Sequence, residues 1–221
     1  MGEISKHDAF GGTIVEVVRS FNINKILEIG SWDGTGSTQC FIEGMKDLDN
    51  KSLTCIEVEP GKCEILRSNV RDYPWVKVVC QTTITYDELL YKDFEQIWSS
   101  PHNGIIKDDN GGEQYKKALV ASWYSQDIAK MKNYPTGFLN DNKNEFYQGV
   151  MLDGGEFNGY TEYTLLKDRT NFFFLDDYYQ AFKTRQVAFE LEKSGEWEVI
   201  AGSKHMRNGY AILKRKNLIN G

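Results

Sequence analysis

The chain has 221 residues, 40% of them hydrophobic and 26% charged, with a formal charge of -6. That composition argues against a disordered or fibrous chain, and the length accommodates one α/β domain rather than two. The acidic balance argues against a nucleic-acid groove, which needs clustered basic residues to neutralise phosphates, and favours a small or neutral substrate. Residues 1–12 lack the basic start and apolar run of a signal peptide, and no stretch approaches the ~20 apolar residues that span a bilayer. A cytoplasmic protein with no membrane span is therefore expected, and no nucleic-acid partner.

Between residues 4 and 21, Phe10, Ile14, Val17 and Val18 recur at helical spacing and predict an amphipathic helix. Lys25–Ile29 (KILEI) predicts a buried strand closed by glycine, and residues 37–45 predict the helix after a Gly-rich turn. Residues 52–58 (SLTCIEV) predict the second strand. Pro60 suits the first turn of a helix that continues through residues 63–70, and residues 75–80 (WVKVVC) predict the third strand. Strands that alternate with helices require crossover connections, which place the strands parallel and the helices on both faces. Cys40, Cys55, Cys63 and Cys80 include no Cys-x-x-Cys pair and are expected to be reduced, packed thiols.

The alternation breaks between residues 84 and 148, a stretch rich in aromatic residues, Asn, Lys and Gly. Connections this long inside a compact domain are usually lids or binding loops. Residues 84–148 are accordingly read as an insertion that binds the acceptor, with a helix over 114–131. The pattern resumes with a strand at 149–152 (GVML), a helix at 159–168, a strand at 171–175 (NFFFL) and a helix at 180–193. Strands at 197–201 and 209–214 close the chain as a hairpin. The expectation is a single Rossmann-like, doubly wound α/β domain over 1–221, with a mostly parallel seven-stranded sheet and a C-terminal antiparallel hairpin.

The first strand runs into Glu28-Ile29-Gly30-Ser31-Trp32-Asp33-Gly34-Thr35-Gly36, an E-x-G-x-x-x-G-x-G pattern. Gly30 permits a sharp exit from the strand, and Gly34 and Gly36 let a ligand approach the backbone ahead of a helix N-terminus. Neither the dinucleotide pattern G-x-G-x-x-G nor the P-loop pattern is present. At the end of the second strand Glu57 stands about 20 residues on, where Rossmann-type folds place an acid against ribose hydroxyls. Glu59 is the competing candidate, one step further into the loop. The spacing and the leading Glu28 resemble motif I of class I S-adenosylmethionine (SAM) methyltransferases. The resemblance implies SAM as cofactor, held by Glu28, Gly30, Ser31, Gly34, Gly36, Ser37, Glu57, Gln81 and Thr82. Where that family usually carries an acid near the adenine, this chain has Gln81-Thr82-Thr83.

Asp153 follows one strand and Asp176-Asp177 the next, so three carboxylates converge on the crevice of the glycine loop. Packed together they repel, so a divalent cation or a basic group is expected among them. Oxygen-only ligands favour Mg²⁺ or Ca²⁺ over zinc. Asp153-Gly154-Gly155-Glu156-Phe157 together with Leu175-Asp176-Asp177-Tyr178 resembles the metal-dependent sugar O-methyltransferases of macrolide and aminocoumarin antibiotics. That resemblance implies Mg²⁺ on Asp153, Asp176 and Asp177, and methyl transfer to a sugar hydroxyl of a glycan or glycosylated metabolite. In those relatives the base is commonly an Asp two residues after the first metal ligand, which here is Gly155. Glu156 is the nearest substitute, with His205 in the hairpin as a second candidate beside the metal-bound Asp153. Trp32, Trp98, Trp123, Tyr124, Tyr160, Tyr163, Tyr178 and Tyr179 crowd the same region, and sugars stack on exposed aromatic faces. A metal-independent methyltransferase for another small molecule and a non-catalytic Rossmann-like module are the competing readings.

Overall fold

The computed structural model describes residues 4–99, 113–134, 136–178, 183–206 and 208–219. Seven strands form one sheet: β1 (Lys25–Ile29), β2 (Ser52–Glu57), β3 (Val76–Cys80), β4 (Tyr147–Leu152), β5 (Thr170–Asp176), β6 (Trp197–Ser203) and β7 (Tyr210–Arg215). Across the sheet they run β3-β2-β1-β4-β5-β7-β6. The first five are parallel, and β7 is antiparallel to both β5 and β6. The chain thus has the doubly wound sheet and closing hairpin that the alternation of elements predicts. Because the chain leaves β3 at one edge and returns beside β1, the topological switch falls between β1 and β4, where open α/β sheets leave a crevice.

Among the described residues the α-helices are α1 (Ala9–Ser20), α2 (Ser37–Met45), α3 (Pro60–Val70), α4 (Phe94–Ser99), α5 (Glu113–Lys132), α6 (Phe138–Asp141), α7 (Gly159–Leu166) and α8 (Arg185–Ser194). α1 starts later than its apolar pattern suggests because Asp8 caps it, accepting from the Gly11 amide at 2.7 Å. Helix α8 stops at Gly195, whose φ of 67° ends the helix in the left-handed region. The predicted start of this helix at residue 180 lies outside the described residues.

The central strands are buried on both faces, and β5 shows how. Phe172 and Phe174 point into one cluster with Phe10, Ile14 and Phe41, while Phe173 and Leu175 point into the other with Tyr163, Val187 and Leu191. A strand buried on both sides reads as a continuous apolar run, which is why NFFFL shows no alternation. Helix α5 matches the helix predicted within residues 84–148, of which 100–112 and 135 lie outside the described residues. The chain beyond it is tied to the sheet: the Phe138 and Leu139 amides donate to the Thr82 and Thr83 carbonyls at 3.0 and 2.9 Å.

The cysteine expectation holds for Cys40 and Cys55, which are free and buried. It fails for Cys63 and Cys80, which form a disulfide. The physical reason is the pairing of β2 with β3: Glu57 lies opposite Cys80, and α3 begins three residues later and carries Cys63 back over that strand end, where its Sγ stands 3.3 Å from the Glu57 carbonyl. The bridge closes a sequence separation of 17 residues, and loop closure of that length stabilises by about 3 kcal/mol. Denaturant unfolding with and without reductant should show a loss of that order on reduction. The C63A/C80A double variant should match the reduced protein, and equal stabilities in both states would refute the bridge.

Candidate active site

The register of the sheet assembles the site before any side chain is considered. Ile29 lies opposite Ile56 and Leu152, Glu57 opposite Cys80, and Leu152 opposite Leu175. Gly30, Glu57, Cys80, Asp153 and Asp176 are therefore level and form one row at the carboxyl edge, with Val58 and Gln81 one step beyond it. Gly30 has φ 87°, and a Cβ on it would stand 2.1 Å from the Asp153 carbonyl oxygen, so only glycine fits there. The Asp153 amide donates to the Ile29 carbonyl at 3.0 Å. A cleft of about 700 Å³ opens above this row, lined by Gly30, Ser31, Trp32, Gly36, Ser37, Glu57, Gln81 and Thr82 on one side, and by Asp153, Glu156, Asp177 and Lys183 on the other.

The cofactor set divides into two kinds. Gly30, Ser31, Gly36, Ser37, Glu57, Gln81 and Thr82 line the cleft. Glu57 accepts from the Val58 and Glu59 amides at 2.7 and 2.8 Å through one carboxylate oxygen. Burial raises its pKa, and those amides offset part of the rise. Glu28 and Gly34 lie outside the lining. Strand alternation turns Glu28 to the face of Ile26, beneath α2, where its carboxylate accepts from Ser37 Oγ and Thr38 Oγ1 at 2.6 and 2.7 Å. Burial pushes its pKa up against these hydroxyl bonds. Its contribution is to hold the start of α2, and so Gly36 and Ser37, in place. Gly34, at φ 76°, packs against Leu66 of α3.

On the opposite side, Asp153, Asp176 and Asp177 each offer a carboxylate oxygen, and these atoms lie within 4.8 Å of one another. Asp176 is fully buried. Lys183, just ahead of α8, places its ammonium 2.6 Å from Asp153 Oδ1 and 2.9 Å from Asp177 Oδ2. Burial works against that charge, but Asp153 and Asp177 outweigh it and hold the lysine pKa well above its usual value. Of the two occupants foreseen for the aspartates, a basic group is thus present within the chain itself. Asn208, from the turn between β6 and β7, donates to Asp177 Oδ1 at 2.8 Å. That turn contributes Asn208 to the cleft; His205 is exposed and does not line it.

Further acids surround this group. Burial, reinforced by Asp177, Asp127 and Asp153 and opposed by Lys183, pushes Glu156 up to about 7. Asp127 of α5 accepts from the Glu156 amide at 3.0 Å, and its own pKa is raised by burial. A Cβ on Gly155 would stand 2.9 Å from Asp127 Oδ2, so α5 brings a carboxylate into the space a side chain at 155 would take. Glu162 on α7 is 1% exposed. One of its oxygens accepts from Thr83 Oγ1, the other has no partner among the described residues, and burial raises its pKa to about 7. The donor set of the three aspartates is all oxygen, convergent and embedded in an excess of acid, which fits a hard divalent cation. Among the described aromatic residues singled out above, Trp32 lines the cleft, 47% exposed with Lys62 Nζ 3.8 Å from its ring centre. Trp98, Trp123 and Tyr124 pack with Phe157, and Tyr163 and Tyr178 are core. Tyr179 lies outside the described residues.

No protein-family model and no curated protein matches the chain. Among solved structures it is similar to an O-methyltransferase from Bacillus cereus in complex with S-adenosylhomocysteine (SAH), at 13% identity and TM-score 0.59 over 96% of this chain and 84% of that one. It is also similar to SAM-bound O-methyltransferase TomG of Streptomyces achromogenes, involved in tomaymycin synthesis, at 11% identity and TM-score 0.56 over 94% and 79%. SAH-bound methyltransferase PaMTH1 of Podospora anserina aligns at 11% identity and TM-score 0.53 over 94% and 78%. At these identities the likeness establishes the fold, which is that of SAM-dependent methyltransferases. No helix among the described residues is long and apolar enough to cross a membrane.

The raised pKa of Glu162 makes stability depend on pH. An acid whose folded pKa lies above its ordinary 4.5 favours the folded state below 4.5, and that contribution is lost as pH rises through about 7. Relative to Glu162→Gln, which does not titrate, the wild type should lose roughly 3 kcal/mol between these limits in denaturant titrations. A difference that stays constant with pH would show that Glu162 is not held protonated.

Proposed function

We propose that the chain is a SAM-dependent O-methyltransferase whose acceptor is a sugar hydroxyl of a glycan or glycosylated metabolite, with Mg²⁺ held by Asp153, Asp176 and Asp177. The observation that carries this reading is the single cleft: a glycine loop and a strand-end acid suited to a nucleoside open into the same space as three converging carboxylates. The fold agrees with it, and the solved structures it resembles include O-methyltransferases bound to SAM or SAH. The sugar rests on the likeness of the segments around Asp153 and Asp176-Asp177 to antibiotic-sugar methyltransferases, and on Trp32 at the cleft mouth.

In this reading Glu57 accepts the ribose hydroxyls, and Gly36 lets the cofactor lie against the loop at the start of α2. A divalent cation, when bound, supplies a Lewis acid that lowers the pKa of an acceptor hydroxyl. Glu156 takes the acceptor proton, with a pKa near 7 matched to proton transfer at neutrality. Asp127 positions Glu156 by accepting from its amide. One observation favours a metal-independent route instead, the seating of Lys183 between Asp153 and Asp177; full methyl transfer in chelator would establish it.

Calorimetric titration should show SAM and SAH binding in the micromolar range. Glu57→Ala should weaken both by about 10- to 100-fold, the worth of a charge-assisted hydrogen bond, with the melting temperature as a control on folding. Absence of binding by the wild type would leave a non-catalytic module with a methyltransferase fold. With an acceptor in hand, Glu156→Gln should lower kcat by about 10²- to 10⁴-fold while cofactor affinity stays unchanged. Unchanged kcat would move the proton to another group.

A further inference from the structure

Lys183 occupies the place at which a cation would meet Asp153 and Asp177, and the surrounding contacts leave little room for both. Asp177 has one carboxylate oxygen on Lys183 and the other on Asn208. Asp153 Oδ1 carries the shorter contact to the lysine, at 2.6 Å. A Mg²⁺ ion sharing that oxygen, at about 2.1 Å from it, would stand within about 5 Å of the ammonium. Two cations at that separation in a partly buried site repel strongly.

The backbone at Lys183 is anchored. Its carbonyl oxygen packs against Gly159 at the start of α7, so closely that a Cβ there would stand 2.1 Å away. The next residue, Thr184, is fully buried and sits where its Oγ1 is 2.9 Å from both the Asp176 and Asp177 carbonyl oxygens. Exchange at the aspartates therefore falls to the lysine side chain, whose long flexible stem permits it.

We propose that Lys183 is a built-in counter-ion of the carboxylate site, and that its ammonium and a divalent cation occupy Asp153 and Asp177 in mutually exclusive fashion. The inference rests on the reading of the aspartates as a cation site. Lysine keeps the acids neutralised when no metal is present, weakens metal binding, and swings into the cleft when metal enters. Metal loading and the position of one amine are thereby coupled.

The test uses the full chain and Mn²⁺ as the probe, followed by electron paramagnetic resonance and calorimetry. Lys183→Met should bind Mn²⁺ at least tenfold more tightly than the wild type. In the wild type, where the lysine side chain is only 13% exposed, acetylation of Lys183 read by peptide mass spectrometry should accelerate several-fold on saturation with Mn²⁺. Acetylation of Lys25, on the far edge of β1, should not change. The labelling arm needs no variant and decides the matter even if Lys183→Met fails to fold. Equal Mn²⁺ affinity in wild type and variant, or unchanged labelling at saturation, would overturn the exchange while leaving the cation site standing. If neither protein binds Mn²⁺, with or without SAH, the cation reading itself falls and this inference with it.

Discussion

The cleft depends on the contact between the backbone of Asp153 and Gly30. A parallel pairing of β1 with β4 brings the two strand ends level, and the absence of a side chain at Gly30 lets the Asp153 carbonyl approach to a distance that no Cβ would tolerate. That approach joins two half-sites with different chemistry. On one side lie a glycine loop and a strand-end acid; on the other lies a knot of carboxylates around the Lys183 ammonium. Were the two loops a side chain further apart, each half would open separately to solvent. The sheet register sets the level of the row, and the glycine sets its closeness.

Charge in the carboxylate half follows from burial. Asp153, Asp176, Asp177, Glu156, Asp127 and Glu162 share one region with Lys183 and the more exposed Lys130. Acids gathered this closely cannot all ionise at ordinary cost. The structure distributes the strain in three ways: an ion pair for Asp153 and Asp177, a backbone amide for Asp127, and raised pKa values for Asp127, Glu156 and Glu162. Raised pKa values among clustered acids in a cleft are a frequent signature of sites that move protons.

Much of this was legible in the sequence because it depends on strand ends. Apolar runs mark where β1, β2, β4 and β5 stop, and polar residues immediately after them must face the carboxyl edge; Glu57, Asp153 and the Asp176-Asp177 pair were found in that way. What escaped depends on direction and on distant packing. Glu28 sits in the right motif, but its position in the strand alternation turns it under α2 rather than into the cleft. The hairpin turn reaches the cleft with Asn208 instead of His205, a choice made by the turn's path. Asp127, Lys130 and Lys183 arrive from elements whose placement over the sheet no local pattern encodes. The Cys63–Cys80 bridge likewise follows from the docking of α3 over the end of β3, not from any spacing of cysteines.

Helix α5 touches both halves of the cleft at once. Through Lys130 it pairs with Glu59, two residues beyond Glu57, at 3.0 Å, and through Asp127, one turn earlier, it holds the amide of Glu156. A rod gripping both banks of a channel gives that channel one degree of freedom rather than two. Displacement of α5 loosens the bank of Glu57 and the carboxylate bank together. In the proposed reading of the two banks, entry and departure of their ligands are then mechanically correlated, and a rate measured for one carries information about the other.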